Sequence, residues 1–203
     1  MSISTPSQER YCLFDTALGP FGIAWNEQGL SRLQLPEADR TATERRLSAS
    51  ASPGEPPPWA RQTIAEIRRY FAGERVDFAS AGIDLAAVGA FRGAVYEAAR
   101  AVGWGQTASY GELARRIGFP WGARAVGQAL ARNPLPLIVP CHRILTHDRR
   151  IGGFSAYGGT LTKQRLLALE GVHVGGTPTL PGMADLPARA AQDLGRRPPC
   201  ASP

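Results

Sequence analysis

The sequence has few cysteines and no long hydrophobic run. Its three cysteines, Cys12, Cys141 and Cys200, lie far apart in 203 residues, which argues against a disulfide framework and indicates a reducing compartment. The cysteines and the three histidines lack paired metal-ligand spacing, so we predict neither a metal nor a cofactor. No segment predicts a membrane span or a secretory signal. We therefore expect no membrane contact and a cytoplasmic protein, or a nuclear one if the source is eukaryotic.

Acidic residues are scarce in one part of the chain. Residues 86–175 contain 11 basic and 4 acidic residues, a net charge of +7, whereas residues 1–85 carry −2 and residues 176–203 carry +1. Such concentrated positive charge indicates a polyanionic partner, most simply nucleic acid. A solvated basic face without a partner is the alternative.

Hydrophobic periodicity predicts an α+β fold in three regions: an N-terminal domain (1–85), a mostly helical domain (86–175) and a disordered tail (176–203). The tail is rich in Pro, Ala, Gly and Arg without periodicity. The elements predicted for the first domain are strands at 11–16, 21–26 and 30–35, a helix at 40–50, a loop at 52–58 and a helix at 59–72. Cys12 lies in an apolar strand, where we expect a buried, inert thiol.

The second domain begins with a pattern of three helices. The first has an apolar face and starts near Phe91, and the second starts at Ser109, which forms a capping box with Glu112 three residues later. The third runs from Ala123 to Arg132, and the tight turn before it predicts a helix-turn-helix.

The third helix has little side-chain bulk, since Ala123, Ala125 and Gly127 follow one another at alternate positions. Small residues let another molecule approach closely, although packing against a neighbouring helix would require them equally. Arg124 and Arg132 favour contact with DNA phosphates.

The most informative motif for function is Pro140-Cys141-His142-Arg143. It follows the apolar segment 137–139. In a regular strand, Cys141 and His142 would point to opposite faces, but Pro140 interrupts the strand pattern and lets them converge directly or through a water. A thiol beside an imidazole and a guanidinium can be held as the nucleophilic thiolate. The same dipeptide also occurs by chance in structural positions.

A glycine-flanked loop at 152–159 and a last helix at 161–171 follow the motif. Glu170 falls at the C-terminal end of that helix, where the helix dipole disfavours a carboxylate. Its placement suggests a functional role, and an exposed glutamate is the alternative.

Together these motifs resemble the methylated-DNA–protein-cysteine methyltransferases, also called O6-alkylguanine-DNA alkyltransferases. The resemblance covers residues 91–171 and rests on segments 107–114, 123–127, 133–134, 140–143 and 166–171. Residues 1–85 match only in general pattern, which implies the family's ribonuclease-H-like sheet-plus-helix domain. Two features depart from the family: the zinc ligands of some members are absent, and segment 154–159 is about two residues longer than in some members.

The resemblance implies a catalytic set. Cys141 would be the acceptor nucleophile, and His142, Glu170 and a water would deprotonate it. Asn133 would brace the turn around Cys141, and Tyr110 would protonate the departing guanine.

The resemblance also implies binding residues. Arg124 would enter the base stack while its helix lies in the minor groove. The implied DNA contacts are Ala123, Arg124, Ala125, Gly127, Arg132, Arg143 and Ser109, and the implied substrate pocket comprises Val139, Phe154, Ser155 and Lys163.

The function implied is direct, irreversible, single-turnover transfer of a methyl or larger alkyl group from O6-alkylguanine in double-stranded DNA to Cys141. O4-alkylthymine is a second candidate substrate, base flipping is required, and a monomer is expected. Three rival functions remain: a non-catalytic lesion-binding protein, a methyl-sensing transcription regulator and a cysteine hydrolase. The first carries tryptophan where this chain has Cys141, the second would need an added domain, and the third predicts turnover of an ester or peptide.

Overall fold

The computed structural model describes residues 9–174, so the predicted tail lies outside the described residues. Strands β1 (Arg10–Thr16), β2 (Gly19–Trp25) and β3 (Leu30–Gln34) form an antiparallel meander. A two-residue strand, β4 (Ser52–Pro53), pairs in parallel with β1 and completes the order β3-β2-β1-β4. The three predicted strands are confirmed within two residues, and β4 lies in the segment predicted as a loop.

Two helices flank this sheet. Helix α1 (Arg40–Ser48) begins where the Asp39 side chain accepts the Ala42 N–H at 2.7 Å. It packs Leu47 against the face of the sheet that carries Tyr11. Helix α2 (Pro58–Phe71) covers the opposite face, and it begins with a proline that has no N–H to leave unpaired.

Residues 86–174 contain four more α-helices and a minimal parallel pair of strands. The elements, in order, are α3 (Ala90–Arg100), β5 (Ala108–Ser109), α4 (Tyr110–Arg116), α5 (Ala123–Ala131), β6 (Ile144–Leu145) and α6 (Thr160–Leu169). The predicted capping box is present, since Ser109 Oγ accepts the Glu112 N–H at 3.1 Å and the Glu112 carboxylate accepts the Ser109 N–H. Helices α4 and α5 pack together across a short turn, as a helix-turn-helix requires.

Segment 137–139 is not the strand that its apolar character suggested. Leu137 has a φ of 75°, and the Val139 N–H donates to Leu135 O at 2.7 Å, so the chain turns here. Pro134, Pro136 and Pro140 cannot donate hydrogen bonds to a strand partner, which is the physical reason for the difference.

One continuous core joins the two parts. It runs from the α2 side of the sheet through α3 and segment 135–139 to Leu166 of α6. Leu33 of β3 donates its N–H to Pro134 O at 2.8 Å, just before the turn that leads to the motif. The cysteine motif is therefore supported by both parts of the chain. No helix within residues 9–174 has the length and apolar character to cross a bilayer.

Candidate active site

Cys141 opens a single 3-10 turn, Cys141–Arg143, directly after Pro140. Its side chain is largely buried, with 7% exposure. Asn133 joins the turn to the end of α5: its Nδ2 donates to Val139 O at 2.8 Å and to Cys141 Sγ at 3.2 Å, and its Oδ1 accepts the Leu135 N–H at 3.0 Å. One amide thus uses both of its polar atoms to hold the backbone around the thiol.

Glu170 lies in the interior at the end of α6, which contradicts the exposed alternative. Oε1 of Glu170 is 2.9 Å from His142 Nε2 and accepts the Tyr70 hydroxyl at 2.8 Å. Arg143 donates from Nε to Oε2 at 2.8 Å and from Nη2 to Oε1 at 2.9 Å. The Gly105 N–H adds a longer hydrogen bond to Oε2 at 3.4 Å. Five donors therefore offset the unfavourable position of the carboxylate at a helix C-terminus.

Arg143 was predicted to contact DNA, but its guanidinium faces the interior. The side chain is buried, forms a two-pronged ion pair with Glu170 and donates from Nη1 to Val102 O at 2.6 Å. A guanidinium that faces inward in this way cannot neutralise a phosphate. The sequence shows only an arginine in a basic segment and gives no sign of its direction.

Tyr70 is the member of this cluster that the sequence did not reveal. It lies on α2 in the N-terminal part, 100 residues before Glu170, and it is fully buried. Its neighbours Ile67 and Phe71 on α2 are buried as well, so hydrophobic periodicity indicates only an ordinary core tyrosine at this position. The contact depends on how the two parts of the chain pack.

Burial sets the protonation states of the reactive pair. It raises the pKa of the Cys141 thiol above 9.0, although the Asn133 hydrogen bond and the Lys163 charge oppose the shift. Cys141 is therefore a protonated thiol at neutral pH, whereas the adjacent His142 and Arg143 in the sequence suggested a thiolate. The guanidinium of Arg143 points at Glu170, which removes one of the expected stabilising charges.

His142 is buried as a neutral imidazole. Burial lowers its pKa below 6.5, and the hydrogen bond and charge of Glu170 only partly offset that effect. Burial would raise the pKa of Glu170, but hydrogen bonds from His142 and Arg143 outweigh it and hold that pKa at about 2. A carboxylate acceptor at Nε2 assigns the imidazole proton to Nε2 and leaves the lone pair on Nδ1. Nδ1 is buried and has no hydrogen-bond partner among the described residues.

Cys141 faces a cleft of about 790 Å³ between α5 and the loop after β6. Tyr110 lines this cleft, and burial, with Cys141 nearby, raises its pKa, so the phenol stays protonated at neutral pH. The other lining residues are Gly111, Ala123, Arg124, Gly127, Gln128, Leu130, Ala131, Thr146, His147, Gly152, Gly153, Phe154 and Ser155. A Cβ at Gly152 would lie 3.0 Å from the Tyr110 hydroxyl oxygen, so the glycine makes room for the phenol.

Two predicted pocket residues do not line the cleft. Lys163 is fully buried, with its Nζ donating to Ile144 O at 2.5 Å and lying 5.8 Å from the centroid of the Tyr110 ring. Burial lowers its pKa to about 8. Val139 is fully buried as well, and its carbonyl accepts the Asn133 amide. Both side chains lie behind the cleft wall, so their contact with the substrate stays a prediction.

The predicted DNA-binding residues in and after α5 are exposed or half-buried, and their contact with DNA stays a prediction. Arg124, Ala125 and Arg132 are exposed, and Ala123 and Gly127 are half-buried at the cleft. The buried face of α5 consists of Val126, Ala129 and Leu130. Ser109 differs, because it is buried and its Oγ belongs to the capping box of α4, so its predicted contact with DNA stays a prediction.

Cys12 is half-buried in β1 rather than fully buried, and burial raises its pKa to about 11. It therefore remains protonated and unreactive at neutral pH, as expected for an inert thiol. Within residues 9–174, no cluster of three or more His, Cys, Asp or Glu side chains could hold a metal ion.

Comparisons with known proteins agree with this architecture. A family model described as "6-O-methylguanine DNA methyltransferase, ribonuclease-like domain" matches residues 10–85, and one described as "6-O-methylguanine DNA methyltransferase, DNA binding domain" matches residues 90–172. A methylated-DNA–protein-cysteine methyltransferase of Methanosarcina acetivorans is 33% identical over 162 residues, 79% of this chain and 97% of that protein.

Two further relatives extend the match. The methylated-DNA–protein-cysteine methyltransferase of Mycobacterium leprae is 36% identical over 157 residues, which cover 77% of this chain and 88% of that protein. The crystal structure of Mycobacterium tuberculosis OGT in complex with DNA superposes with a TM-score of 0.65 at 33% identity, covering 79% of this chain and 92% of that chain. This chain therefore belongs to the 6-O-methylguanine DNA methyltransferase family.

Proposed function

We propose that this protein repairs DNA by transferring a methyl or larger alkyl group from O6 of guanine to Cys141. The observation that carries the proposal is the buried chain Tyr70–Glu170–His142 beside a thiol that opens on a cleft. Membership in the family supports the same reaction.

The protein's own residues account for the proton movements. The lone pair on His142 Nδ1 takes the Cys141 proton, through a water, and Glu170 stabilises the resulting imidazolium. The thiolate then attacks the alkyl carbon: the bond from sulfur to carbon forms and the bond from carbon to guanine O6 breaks. Tyr110, which is a protonated phenol at the cleft, donates a proton to the departing guanine. Guanine leaves as the neutral base, and no cofactor takes part.

The resting thiol has a consequence for selectivity. A thiol that is mostly protonated and 7% exposed reacts slowly with electrophiles in solution. Deprotonation by His142 becomes useful only when an alkylated base occupies the cleft. Burial and protonation therefore protect the thiol from adventitious alkylation.

Substrate access requires base flipping, since the O6 position lies inside the duplex. Arg124 is exposed on α5 and lines the same cleft as Cys141, so we propose that it occupies the gap left by the flipped nucleotide. Ala125, beside it on the exposed side of the helix, adds no bulk that would hinder entry into a groove. Exposed Arg132 is proposed to contact phosphate.

The reaction should stop after one turnover per molecule. A thioether on Cys141 has no leaving group under these conditions, and Cys12, the other described cysteine, is an inert thiol on the sheet. We propose that the protein acts as a monomer, and the predicted domain boundary at residue 85 and the predicted compartment remain predictions.

The test is stoichiometric. Excess duplex DNA containing O6-methylguanine should add one methyl group, and mass spectrometry should find it on the peptide that contains Cys141. Cys141→Ser should bind this DNA without repairing it, because a serine hydroxyl is a much weaker nucleophile at neutral pH. Multiple turnover, or a methyl group on Cys12, would refute the mechanism. Hydrolysis of an ester by wild type but not by Cys141→Ser would favour a cysteine hydrolase instead.

A further inference from the structure

An exposed tryptophan stands at the tip of the helix-turn-helix. Trp121 is 98% exposed and lies two residues before α5 begins at Ala123. Phe119 in the same turn is 57% exposed. Single exposed apolar residues are common, but an indole left almost wholly in water beside a second aromatic ring suggests a contact surface.

The turn that carries Trp121 is ordered by its own contacts. The Phe119 N–H donates to Ala114 O at 2.8 Å, and the Gly122 N–H donates to Phe119 O at 2.8 Å. The Phe119 ring packs edge-on against Phe91 of α3, with centroids 5.5 Å apart. These contacts fix the backbone on both sides of Trp121. The indole is therefore presented outward by an ordered backbone, and binding would have to order only the two torsions of its side chain.

The positive charge around Trp121 indicates which class of partner would bind there. Residues 113–147 contain five arginines and neither Asp nor Glu. Three of these arginines, Arg115, Arg116 and Arg124, are exposed on the helices that flank the turn. A partner for this surface must combine dense negative charge with flat apolar faces, and nucleic acid supplies both in its phosphates and in its sugars and bases.

We propose that Trp121 is a DNA-contact residue, whose indole packs against the sugars or base edges of the duplex beside the site that α5 enters. It would fix the position of α5 along the groove, so that Arg124 meets the base stack at the damaged nucleotide. This inference rests on the proposed function only in taking DNA as the ligand. The contact does not depend on the alkyl group, so undamaged DNA should make it too.

The experiment measures affinity for an undamaged duplex at fixed low salt. Trp121→Ala should weaken binding about tenfold, within the range measured for stacking contacts, and Trp121→Phe should recover most of the loss. Trp59→Ala is the matched control, since Trp59 is 41% exposed on α2, outside the basic segment, and its removal should leave affinity unchanged. Quenching of indole fluorescence by DNA should disappear in Trp121→Ala and persist in Trp59→Ala.

Reaction with free O6-benzylguanine separates a contact defect from misfolding, because the free base needs the cleft but not the duplex. Trp121→Ala should react with it at the wild-type rate. If Trp121→Ala binds DNA as tightly as wild type, the inference is overturned. Sedimentation identifies the alternative: a wild-type dimer that Trp121→Ala dissociates, with DNA affinity unchanged, would assign Trp121 to a contact between two copies of the chain. If wild type binds the duplex but fails to take a methyl group from O6-methylguanine, the proposed function fails while the affinity comparison still tests Trp121.

Discussion

Tyr70→Phe isolates the link between the N-terminal part of the chain and the reactive site. The substitution removes one hydroxyl, which donates to Glu170 Oε1 at 2.8 Å in a fully buried setting, and it leaves the ring packing against Phe71 and Trp104 intact. Burial, together with the Glu170 charge, raises the Tyr70 pKa well above 10, so the phenol remains a donor across the neutral range.

The magnitude follows from the charge of the acceptor. A hydrogen bond to a charged group contributes about 1.5–3 kcal/mol, and four donors, from His142, Arg143 and the Gly105 N–H, remain on Glu170 after the change. We therefore expect the lower end, a loss of about 1.5 kcal/mol in the free energy of unfolding at pH 7. For a chain of 150–250 residues this corresponds to a fall in Tm of about 3–6 °C.

The loss should depend on pH with a defined sign. The Glu170 pKa is about 2 in the folded protein against 4.5 ordinarily, so its contribution to stability is present above pH 4.5 and is lost as pH falls toward 2. The unfolded-state pKa is the same in both proteins, so it cancels in their comparison. The difference between wild type and Tyr70→Phe should therefore be constant above the folded Glu170 pKa of the variant, about one unit above the wild-type value, and should shrink as pH falls below it toward 2, because the carboxylate of the variant becomes protonated first. Urea unfolding between pH 2 and pH 7 measures this difference.

Tyr96→Phe provides the matched control. Tyr96 is equally buried, but its hydroxyl donates to the neutral carbonyls of Ala129 and Arg132 at 3.1 and 3.0 Å. Its removal should lower stability by about 1 kcal/mol without this dependence on acid pH. If Tyr70→Phe shows the same loss at pH 2 as at pH 7, or none at all, the hydroxyl does not stabilise the Glu170 carboxylate and the reasoning fails.

Three further predictions concern the reaction and DNA binding. Arg124→Ala should slow methyl transfer from duplex DNA about 100-fold or more, equivalent to about 2.7 kcal/mol, yet hardly affect reaction with free O6-benzylguanine; equal losses on both substrates would assign Arg124 to folding or the pocket. Glu170→Gln should move the pH profile of alkylation to higher pH, since His142 loses the carboxylate that stabilises its protonated form, and an unchanged profile would remove Glu170 from the relay. Gly152→Ala should displace the Tyr110 hydroxyl by a few tenths of an ångström and slow transfer several-fold while leaving DNA affinity intact; a wild-type rate would show that the phenol position is not critical.

The sequence by itself determined the features that depend on near neighbours. The capping box at Ser109 needs only Glu112 three residues away, and the apolar face of α3 follows from periodicity, so both features were predicted correctly. The reactive motif was recognisable for the same reason, since Pro140, Cys141 and His142 are adjacent. Local hydrogen bonds and side-chain spacing depend only on residues that are close together in the sequence.

Only the tertiary structure decided where the buried charges point. Arg143 and Lys163 are cations of a basic segment by sequence, yet one pairs with Glu170 and the other lies in the interior beside the Tyr110 ring. Tyr70 meets Glu170 across 100 residues. A charged or hydroxyl group can be buried only where partners from distant segments satisfy it, and those partners come together only when the two parts of the chain pack into one core.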